Sequence, residues 1–388
     1  MRLPRVAVIT PGTFPIPSGA SSSVERVVEY VVSMAAERME ARIYGRLWPG
    51  QAQYGLVRGV PCERIRSSTT RSYIRDVIHG LAAFNPDIVQ VENRPRFVLE
   101  LKRSFPNTKV WLNLHSTTFM SRKHISVKLL RTAFRSADRI FVNSRYLYEE
   151  VRRKVPDCEA RIVINPLGVD GARFRTRWSE EGRERYTAGK SSHGWEERKV
   201  VLYVGRLIPL KGVHHLLQAV PRLKKSHPEV LLVIVGSAFY GSKRKTKYVR
   251  RLERIGRRHR EHVRFVPYVS HEEVPSWYAM ADVVVVPSVR REAFGLVNVE
   301  AMASGVPVIA SRVGGIQEVV VDEKTGLLVP PHRMEAQLSI ALERLLSDRA
   351  LCEQLGQAGV EHVESLYTWR RTAERWADEI SLCATASR

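Results

Sequence analysis

The sequence predicts an α/β protein of two doubly wound halves, on three observations. Short β-branched runs alternate with amphipathic stretches along the chain, the rhythm of parallel strands covered by helices. Its 388 residues, 44% hydrophobic and 26% charged, suffice for about two globular domains. A charged stretch, 173–198, interrupts the alternation once, and a second alternation then begins at Lys199.

In the first half, strands are expected at 6–10, 41–44, 87–91, 109–113, 139–142 and 161–164. Helical patterns lie between most of them. Segment 23–37 places Val24, Val27, Val28, Val31 and Val32 on one face, and 73–84 and 144–154 follow the same period. Segment 173–198 contains Gly182, Gly189 and Gly194 and lacks an apolar period, so it reads as a linker. Strands resume at 199–204, 230–235, 263–266, 282–286, 306–310 and 327–329, and 333–347, 348–365 and 369–382 are helical in pattern. The expected division is a first Rossmann-like domain over 1–170, a linker over 171–198 and a second such domain over 199–366. Helix 367–388 is expected to pack back toward the first domain.

Charge is unusual: 62 Lys+Arg against 40 Asp+Glu give +22. The excess is uneven, with 10 basic and 3 acidic residues in 101–150, 10 and 1 in 201–250, but 9 and 12 in 301–388. Such a field attracts nucleic acid, anionic lipid, acidic polymer or a phosphorylated small molecule. The longest aliphatic runs, 230–235 and 283–286, fall far short of the roughly 18 residues of a spanning helix. The basic start is followed by too short an apolar run for a secretory leader, so a cytoplasmic chain is expected, peripheral at most to a membrane. Cys62, Cys158, Cys352 and Cys383 lie far apart, which disfavours a disulfide framework or zinc knuckle.

In doubly wound domains, ligands bind at the carboxyl ends of the strands. Four loops there could carry chemistry. Segment 17–23, Pro-Ser-Gly-Ala-Ser-Ser-Ser, could bring a backbone N–H near Gly19 to a phosphate, or simply turn a strand into a capped helix. Segment 205–212 sets Arg206 and Lys211 around a helix start, suited to clamping a diphosphate; ordinary surface charge is the alternative. Segment 292–305 begins with Glu292, turns at Gly295 and carries Glu300 on the same helical stripe as Leu296 and Ala303. The amides of Phe294, Gly295 and Leu296 would present a helix dipole's positive end, while a carboxylate on that small apolar stripe must accept hydrogen bonds or is costly to bury. Last, His115 ends a buried-type strand; it is either a satisfied structural histidine or a catalytic one.

Absences narrow the chemistry. No two of the nine aspartates are separated by a single residue, so no D-x-D clamp for a divalent metal is present. The sequence also lacks H-E-x-x-H, G-x-x-x-x-G-K-[ST], G-x-S-x-G and G-x-G-x-x-G in the two phosphate-type loops.

Taken together, the loops resemble glycosyltransferase family 4, retaining nucleotide-sugar transferases of GT-B fold, in which two Rossmann-like domains face each other across a cleft. The resemblance rests on the 18–23 loop, His115, Val142-Asn143-Ser144, Asn165 to Asp170, Gly205-Arg206-Leu207 with Lys211-Gly212, Gly236, Ala281-Asp282, Pro287-Ser288, Glu292 to Glu300, and Gly326 to Val329. Two departures are Ser18-Gly19-Ala20 for the family's frequent paired glycines, and Leu167 for a frequent asparagine. Within the family, Asn93-Arg94-Pro95, Arg177-Trp178 with Glu181-Gly182, and Gly236-Ser237 through Gly241 with Tyr248-Val249 are similar to the spore coat protein SA group.

The resemblance implies a UDP- or GDP-linked sugar as donor, no resident cofactor or metal, and a cell-envelope, spore-coat, lipid-linked or polysaccharide acceptor. It assigns Arg206 and Lys211 to the diphosphate, Glu292 with the Phe294, Gly295 and Leu296 amides to the sugar, and Glu300 to the ribose. His115 and Gly19 would close the site from the first domain. One rival is a non-catalytic coat or scaffold protein that keeps the fold. The other is a nucleic-acid binder, suggested only by charge and by no recognition motif. Segment 243–260, with ten cations and one acid, is expected as a basic amphipathic helix broken at Gly256. With Arg122, Lys123, Lys128, Arg131 and Arg135 it could steer the chain to an anionic membrane or polymer.

Overall fold

The structure, a computed structural model, describes residues 2–19, 23–240 and 244–386; residues 20–22 of the first small-residue loop and Lys243 of the basic segment lie outside them. The chain divides into two units, Met1–Leu167 with Trp369–Arg388, and Gly168–Thr368.

The first unit's strands are β1 (Arg5–Ile9), β2 (Glu40–Arg46), β3 (Tyr54–Val57), β4 (Val60–Ile65), β5 (Ile88–Glu92), β6 (Lys109–Leu114), β7 (Arg139–Val142) and β8 (Ile162–Ile164). They pair in the order β3-β4-β2-β1-β5-β6-β7-β8, parallel except for β3 against β4. The chain leaves β1 toward β2 on one side and later returns to β5 on the other, so the order reverses between β1 and β5. This topological switch separates the loops that follow those two strands. The β3–β4 hairpin escapes sequence reading because Pro61, Glu63 and Arg64 interrupt its alternation. It turns through Arg58 (φ 49°) and Gly59 (φ 87°), both left-handed. Arg64 is nevertheless 5% exposed, because its guanidinium donates to the carbonyls of Ile16 and Ala52 at 2.7 and 3.1 Å.

Helices α1 (Ser23–Ala35), α2 (Thr70–Phe84), α3 (Pro95–Ser104), α4 (Val127–Ser136) and α5 (Arg145–Lys154) cover this sheet. Side chains of Thr69, Ser126 and Ser144 cap α2, α4 and α5, each accepting a backbone N–H three residues on.

The second unit's strands are β9 (Lys199–Val204), β10 (Val230–Val235), β11 (Val263–Val266), β12 (Val283–Val286), β13 (Val308–Ser311) and β14 (Gly326–Val329), all parallel in the order β11-β10-β9-β12-β13-β14. Here the order reverses between β9 and β12. The helices are α6 (Glu180–Ser191), α7 (Val213–Ser226), α8 (Lys247–Arg257), α9 (Val274–Ala279), α10 (Leu296–Ala303), α11 (Ile316–Val319), α12 (Met334–Ser347) and α13 (Arg349–Leu366). The last helix, α14 (Trp369–Ala386), belongs to the first unit, where Trp369 stacks on Tyr30 of α1 and Thr372 accepts from Asn165 through its carbonyl at 3.0 Å.

The linker expected over 171–198 is corrected: this segment is part of the second unit and forms α6. Its glycines mark close packing rather than flexibility. A Cβ on Gly182 would lie 1.8 Å from the Thr176 carbonyl oxygen, and one on Gly189 would lie 2.5 Å from Met280 Cγ. The segment is anchored on Asp282, the residue preceding β12. Asp282 accepts from Lys190 at 2.8 Å, Tyr186 at 2.8 Å, Arg177 at 3.3 Å and the Val200 N–H at 2.7 Å. Burial raises the pKa of this carboxyl, but Arg177 and Lys190 outweigh it and hold it below the usual aspartate range. The apolar period is missing because buried charge, and not an apolar stripe, attaches the segment.

The basic helix is shorter than expected, running from a Thr246 cap to Arg257, with Val249 and Leu252 buried. Gly256 does not break it. A Cβ there would lie 2.5 Å from Phe265, so Gly256 lets the helix approach β11. No helix among the described residues is long and apolar enough to cross a membrane.

Replacing Asp282 by Asn leaves Lys190 and Arg177 with an uncharged partner, and breaking a buried ion pair costs about 3–5 kcal/mol. Asp282→Asn should unfold at lower temperature than wild type. The carboxyl's pKa is lower folded than unfolded, so its contribution is complete above the unfolded value and disappears as pH falls through the folded one. The stability gap measured by denaturant unfolding should therefore be constant near neutrality and narrow in acid; a pH-independent gap would contradict the ion-pair assignment.

Candidate functional site

In the second unit, the loops after β9 and β12 diverge from the switch in strand order. The loop after β9 is packed backbone to backbone. Gly205 (φ 151°) receives Gly236 (φ 143°) so closely that a Cβ on Gly236 would lie 2.0 Å from the Gly205 carbonyl oxygen. Gly212 (φ 70°) precedes α7, and a Cβ there would lie 1.8 Å from the Pro287 carbonyl oxygen at the end of β12. With Val289 N–H donating to the Leu210 carbonyl at 2.8 Å, the two loops are locked together.

That lock brings Lys211 to Glu292: Nζ lies 2.5 Å from Oε2, which also accepts from the Ser288 hydroxyl at 3.1 Å. Burial raises the Glu292 carboxyl, but Lys211, Ser288 and Arg206 together hold it below the ordinary glutamate range. It is a carboxylate at neutral pH. Arg206 is exposed, its guanidinium 5.8 Å from the Tyr240 ring centroid, and its carbonyl accepts from Tyr203 Oη at 2.9 Å.

Glu292 is held from behind by a loop that sequence reading misses. Gly315 N–H donates to the Glu292 carbonyl at 2.9 Å, and Gly314 (φ 54°) passes so close that a Cβ would lie 2.0 Å from that oxygen. Paired glycines after a buried strand are the available signal. Gly295 (φ 92°) then starts α10, and Asn298 donates to its carbonyl from Nδ2 at 3.1 Å and from the backbone at 2.9 Å. Among the described residues no acceptor takes the N–H of Phe294, Gly295 or Leu296, so three donors stand open at a helix start beside Lys211 and Glu292. The Phe294 ring is buried edge-on to Tyr367, which anchors this turn.

Glu300 is 5% exposed, which excludes a solvated flank position. Tyr278 Oη donates to its Oε2 at 3.1 Å, and His271 Nδ1 lies 4.0 Å from Oε1. Two glutamates on one short element thus have opposite settings, one charge-paired and partly open, the other buried against phenol and imidazole.

In the first unit His115 follows β6, with Nε2 2.6 Å from Glu92 Oε2 at the end of the adjacent strand β5. Asn93 Oδ1 accepts from the His115 N–H at 3.3 Å and Asn143 donates to its carbonyl at 3.4 Å, so the ends of β5 and β7 brace it. Glu92, Asn93 and Asn143 complete a setting in which sequence reading singles out only the histidine as a candidate for chemistry. Gly19 is exposed, with open space where a Cβ would be, so its position does not require a glycine. Among the described residues no group of three His, Cys, Asp or Glu side chains could hold a metal ion.

These loops stand on two doubly wound sheets, and comparison with known proteins identifies the class of protein. Residues 187–362 match the family described as Glycosyl transferases group 1, and residues 24–173 match Glycosyltransferase Family 4. Spore coat protein SA of Bacillus subtilis is 30% identical over 370 residues, 95% of this chain and 97% of that protein. Among solved structures, sucrose-phosphate synthase from Thermosynechococcus elongatus superposes with a TM-score of 0.82 at 24% identity, over 99% of this chain and 100% of that one. Anabaena HepE, solved with UDP-glucose, has a TM-score of 0.76 at 19% identity, over 97% and 99%. The chain belongs to glycosyltransferase family 4, and its fold is GT-B.

The Gly314 contact makes a direct test of how Glu292 is placed. Gly314→Ala must displace the Glu292 backbone and strain a left-handed residue, and should cost on the order of 1–3 kcal/mol. For a domain of this size that lowers the melting temperature by roughly 2–4 °C per kcal/mol. Gly19→Ala, placed in open space, should melt with wild type; equal losses in the two variants would refute the packing argument.

Proposed function

We propose that this glycosyltransferase is retaining and moves a sugar from a UDP- or GDP-linked donor to a cell-envelope, spore-coat or polysaccharide acceptor, without a metal. The observation that carries the reading is the Lys211–Glu292 pair beside the open amides of Phe294, Gly295 and Leu296. Cleavage of the anomeric C–O bond leaves charge on the outer phosphate while an oxocarbenium-like centre develops at the sugar. Fixed cations and amide dipoles aimed at that phosphate stabilise the transition state more than the ground state. Lys211 keeps donor capacity beyond its bond to Glu292, and Arg206 is free to swing onto the diphosphate.

In this reading Glu292 accepts sugar hydroxyls, the buried Glu300 accepts ribose hydroxyls, and the first unit contributes His115 and Gly19. Same-face attack is favoured for retention, because Glu292 and Glu300 are assigned to hydroxyls and Glu92 is engaged by His115 at 2.6 Å, which leaves no carboxylate assigned as a nucleophile. The likeness to spore coat protein SA supports a coat or envelope acceptor, and HepE, solved with UDP-glucose, supports a nucleotide-sugar donor. A scaffold that has lost catalysis is the competing reading. Turnover or hydrolysis of any member of a nucleotide-sugar panel separates the two.

A second proposal concerns placement. The nine described cations of 244–260 are all exposed, and Glu253 is paired with Lys245 at 2.7 Å. The apolar stripe of α8 is spent on the second sheet, so this helix offers charge without insertion. It would dock peripherally on an anionic surface.

Three outcomes test these proposals. Transfer should survive EDTA, while Arg206→Ala and Lys211→Ala each lower kcat/KM by ~10²-fold or more; chelation that abolishes activity, or wild-type kinetics in both variants, sinks the metal-free clamp. Glu300→Gln should weaken binding of the bare nucleoside diphosphate by calorimetry, whereas Glu292→Gln should spare that binding and reduce transfer. The reverse pattern would exchange their roles. Finally, the protein should co-sediment with acidic but not zwitterionic liposomes and be released by salt, at on the order of 1 kcal/mol per cation near the surface; no binding to acidic liposomes at low salt removes the docking proposal.

A further inference from the structure

The first unit contains a buried polar chain that leads from the C-terminal helix to His115. Trp376 Nε1 on α14 lies 2.7 Å from Gln90 Oε1, Gln90 Nε2 lies 2.7 Å from Glu92 Oε1, and Glu92 Oε2 lies 2.6 Å from His115 Nε2. Trp376, Gln90 and Glu92 are 1%, 3% and 1% exposed. Gln90 and Glu92 sit two apart on β5 and so share a face of the sheet. Asn113, opposite Glu92 on β6, adds a longer contact of 3.4 Å from its Nδ2 to Glu92 Oε1.

The polarity of this chain is fixed by two groups, the indole of Trp376 and the carboxylate of Glu92. An indole N–H can only donate, so Gln90 must turn its carbonyl to Trp376 and its NH₂ to Glu92. As a carboxylate Glu92 can only accept, and it does so on both oxygens, so the hydrogen between Glu92 and His115 belongs to Nε2. The neutral ring in that tautomer has Nδ1 as a pure acceptor. Nδ1 is buried and has no hydrogen-bond partner among the described residues, and such orphans are costly to leave unpaired.

We propose that Glu92 is a positioning residue for His115: it fixes the imidazole as the Nε2–H tautomer and orients the ring so that Nδ1 accepts from a hydroxyl of the bound sugar or acceptor. A neutral ring selects a hydroxyl over a phosphate oxygen, since an acceptor nitrogen cannot bind an acceptor oxygen. Trp376 fixes which way the Gln90 amide faces, so α14 supports the placement of Glu92 through a hydrogen bond as well as through packing. The proposal rests on the transfer reading for His115's place at the site, and on the geometry alone for its tautomer.

The experiment has two arms on the full chain. In the first, ¹⁵N-histidine labelling reads ring tautomers by NMR, with His115 assigned from the signals lost in His115→Gln. Wild type should show His115 as Nε2–H, and Glu92→Gln should shift it toward Nδ1–H, because the new amide can donate. Finding Nδ1–H in wild type, or no change in Glu92→Gln, overturns the assignment. In the second arm, Glu92→Gln should lower kcat at least about tenfold with donor KM within about threefold, yet change kcat less than about twofold in a His115→Gln background. Equal losses in both backgrounds, or a His115→Gln enzyme with wild-type kcat, overturn the positioning role.

Trp376→Phe frees the Gln90 amide to turn but leaves Glu92 an acceptor-only carboxylate, so it should keep His115 as Nε2–H while lowering kcat less than Glu92→Gln does. Should Glu92→Gln melt below working temperature, this kcat loss, again absent in a His115→Gln background, carries the positioning test; a loss that persists in that background overturns it. A wild-type chain that turns over no nucleotide sugar refutes the transfer reading and the hydroxyl role that rests on it, while the tautomer arm still decides the Glu92–His115 bond.

Discussion

Backbone contact without side chains is the constraint on which the second unit's site depends. At the carboxyl end of its sheet, Gly236 lies against Gly205, Gly212 against Pro287, and Gly314 against Glu292, each too closely for a Cβ. Every one of these glycines also has a positive φ, which L side chains rarely adopt. The loops after β9, β10, β12 and β13 are therefore one packed layer. Lys211 and Glu292, 81 residues apart in sequence, meet because that layer leaves their backbones no other place.

The same electrostatics serves two ends in this protein, and exposure separates them. Around Asp282 the charges are enclosed, every oxygen of the carboxylate is used, and the product is attachment of α6 to the sheet. At Lys211–Glu292 both side chains keep about a fifth to a quarter of their surface open, and neighbouring amides are without acceptors among the described residues. A satisfied ion pair in the interior holds structure. A partly open one at a helix start is the arrangement on which the proposed recognition of a charged, hydroxylated ligand rests.

Much of the fold is legible in the amino-acid pattern. The strands expected at 199–204, 230–235 and 263–266 coincide with β9, β10 and β11, since parallel strands buried on both faces read as unbroken aliphatic runs. The β3–β4 hairpin is not legible, because an edge carrying Glu63 and Arg64 has no such run. Segment 173–198 reads as a linker and is not one, for a related reason. Glycine and charge are statistically the marks of a loop, but Gly182 and Gly189 are contact points and Arg177, Tyr186 and the buried Lys190 are hydrogen-bond partners of Asp282. Gly256 is likewise a contact and not an interruption.

By itself the sequence determined which residues are candidates for chemistry: residue type, and order relative to strand ends, suffice to single out His115, Arg206, Lys211, Glu292 and Glu300. Periodicity is a local property, and so is the capacity of a side chain to donate, accept or ionise. What only the tertiary structure decided is who meets whom. Glu300 proved buried against Tyr278, Glu292 proved tied to Lys211 and backed by Gly314 and Gly315, and His115 proved bound to Glu92 in a chain that ends on α14. Such pairings join residues from about 20 to nearly 300 positions apart, and the distances between them are set by strand order and by the close approach of backbones, neither of which leaves a periodic trace in the sequence.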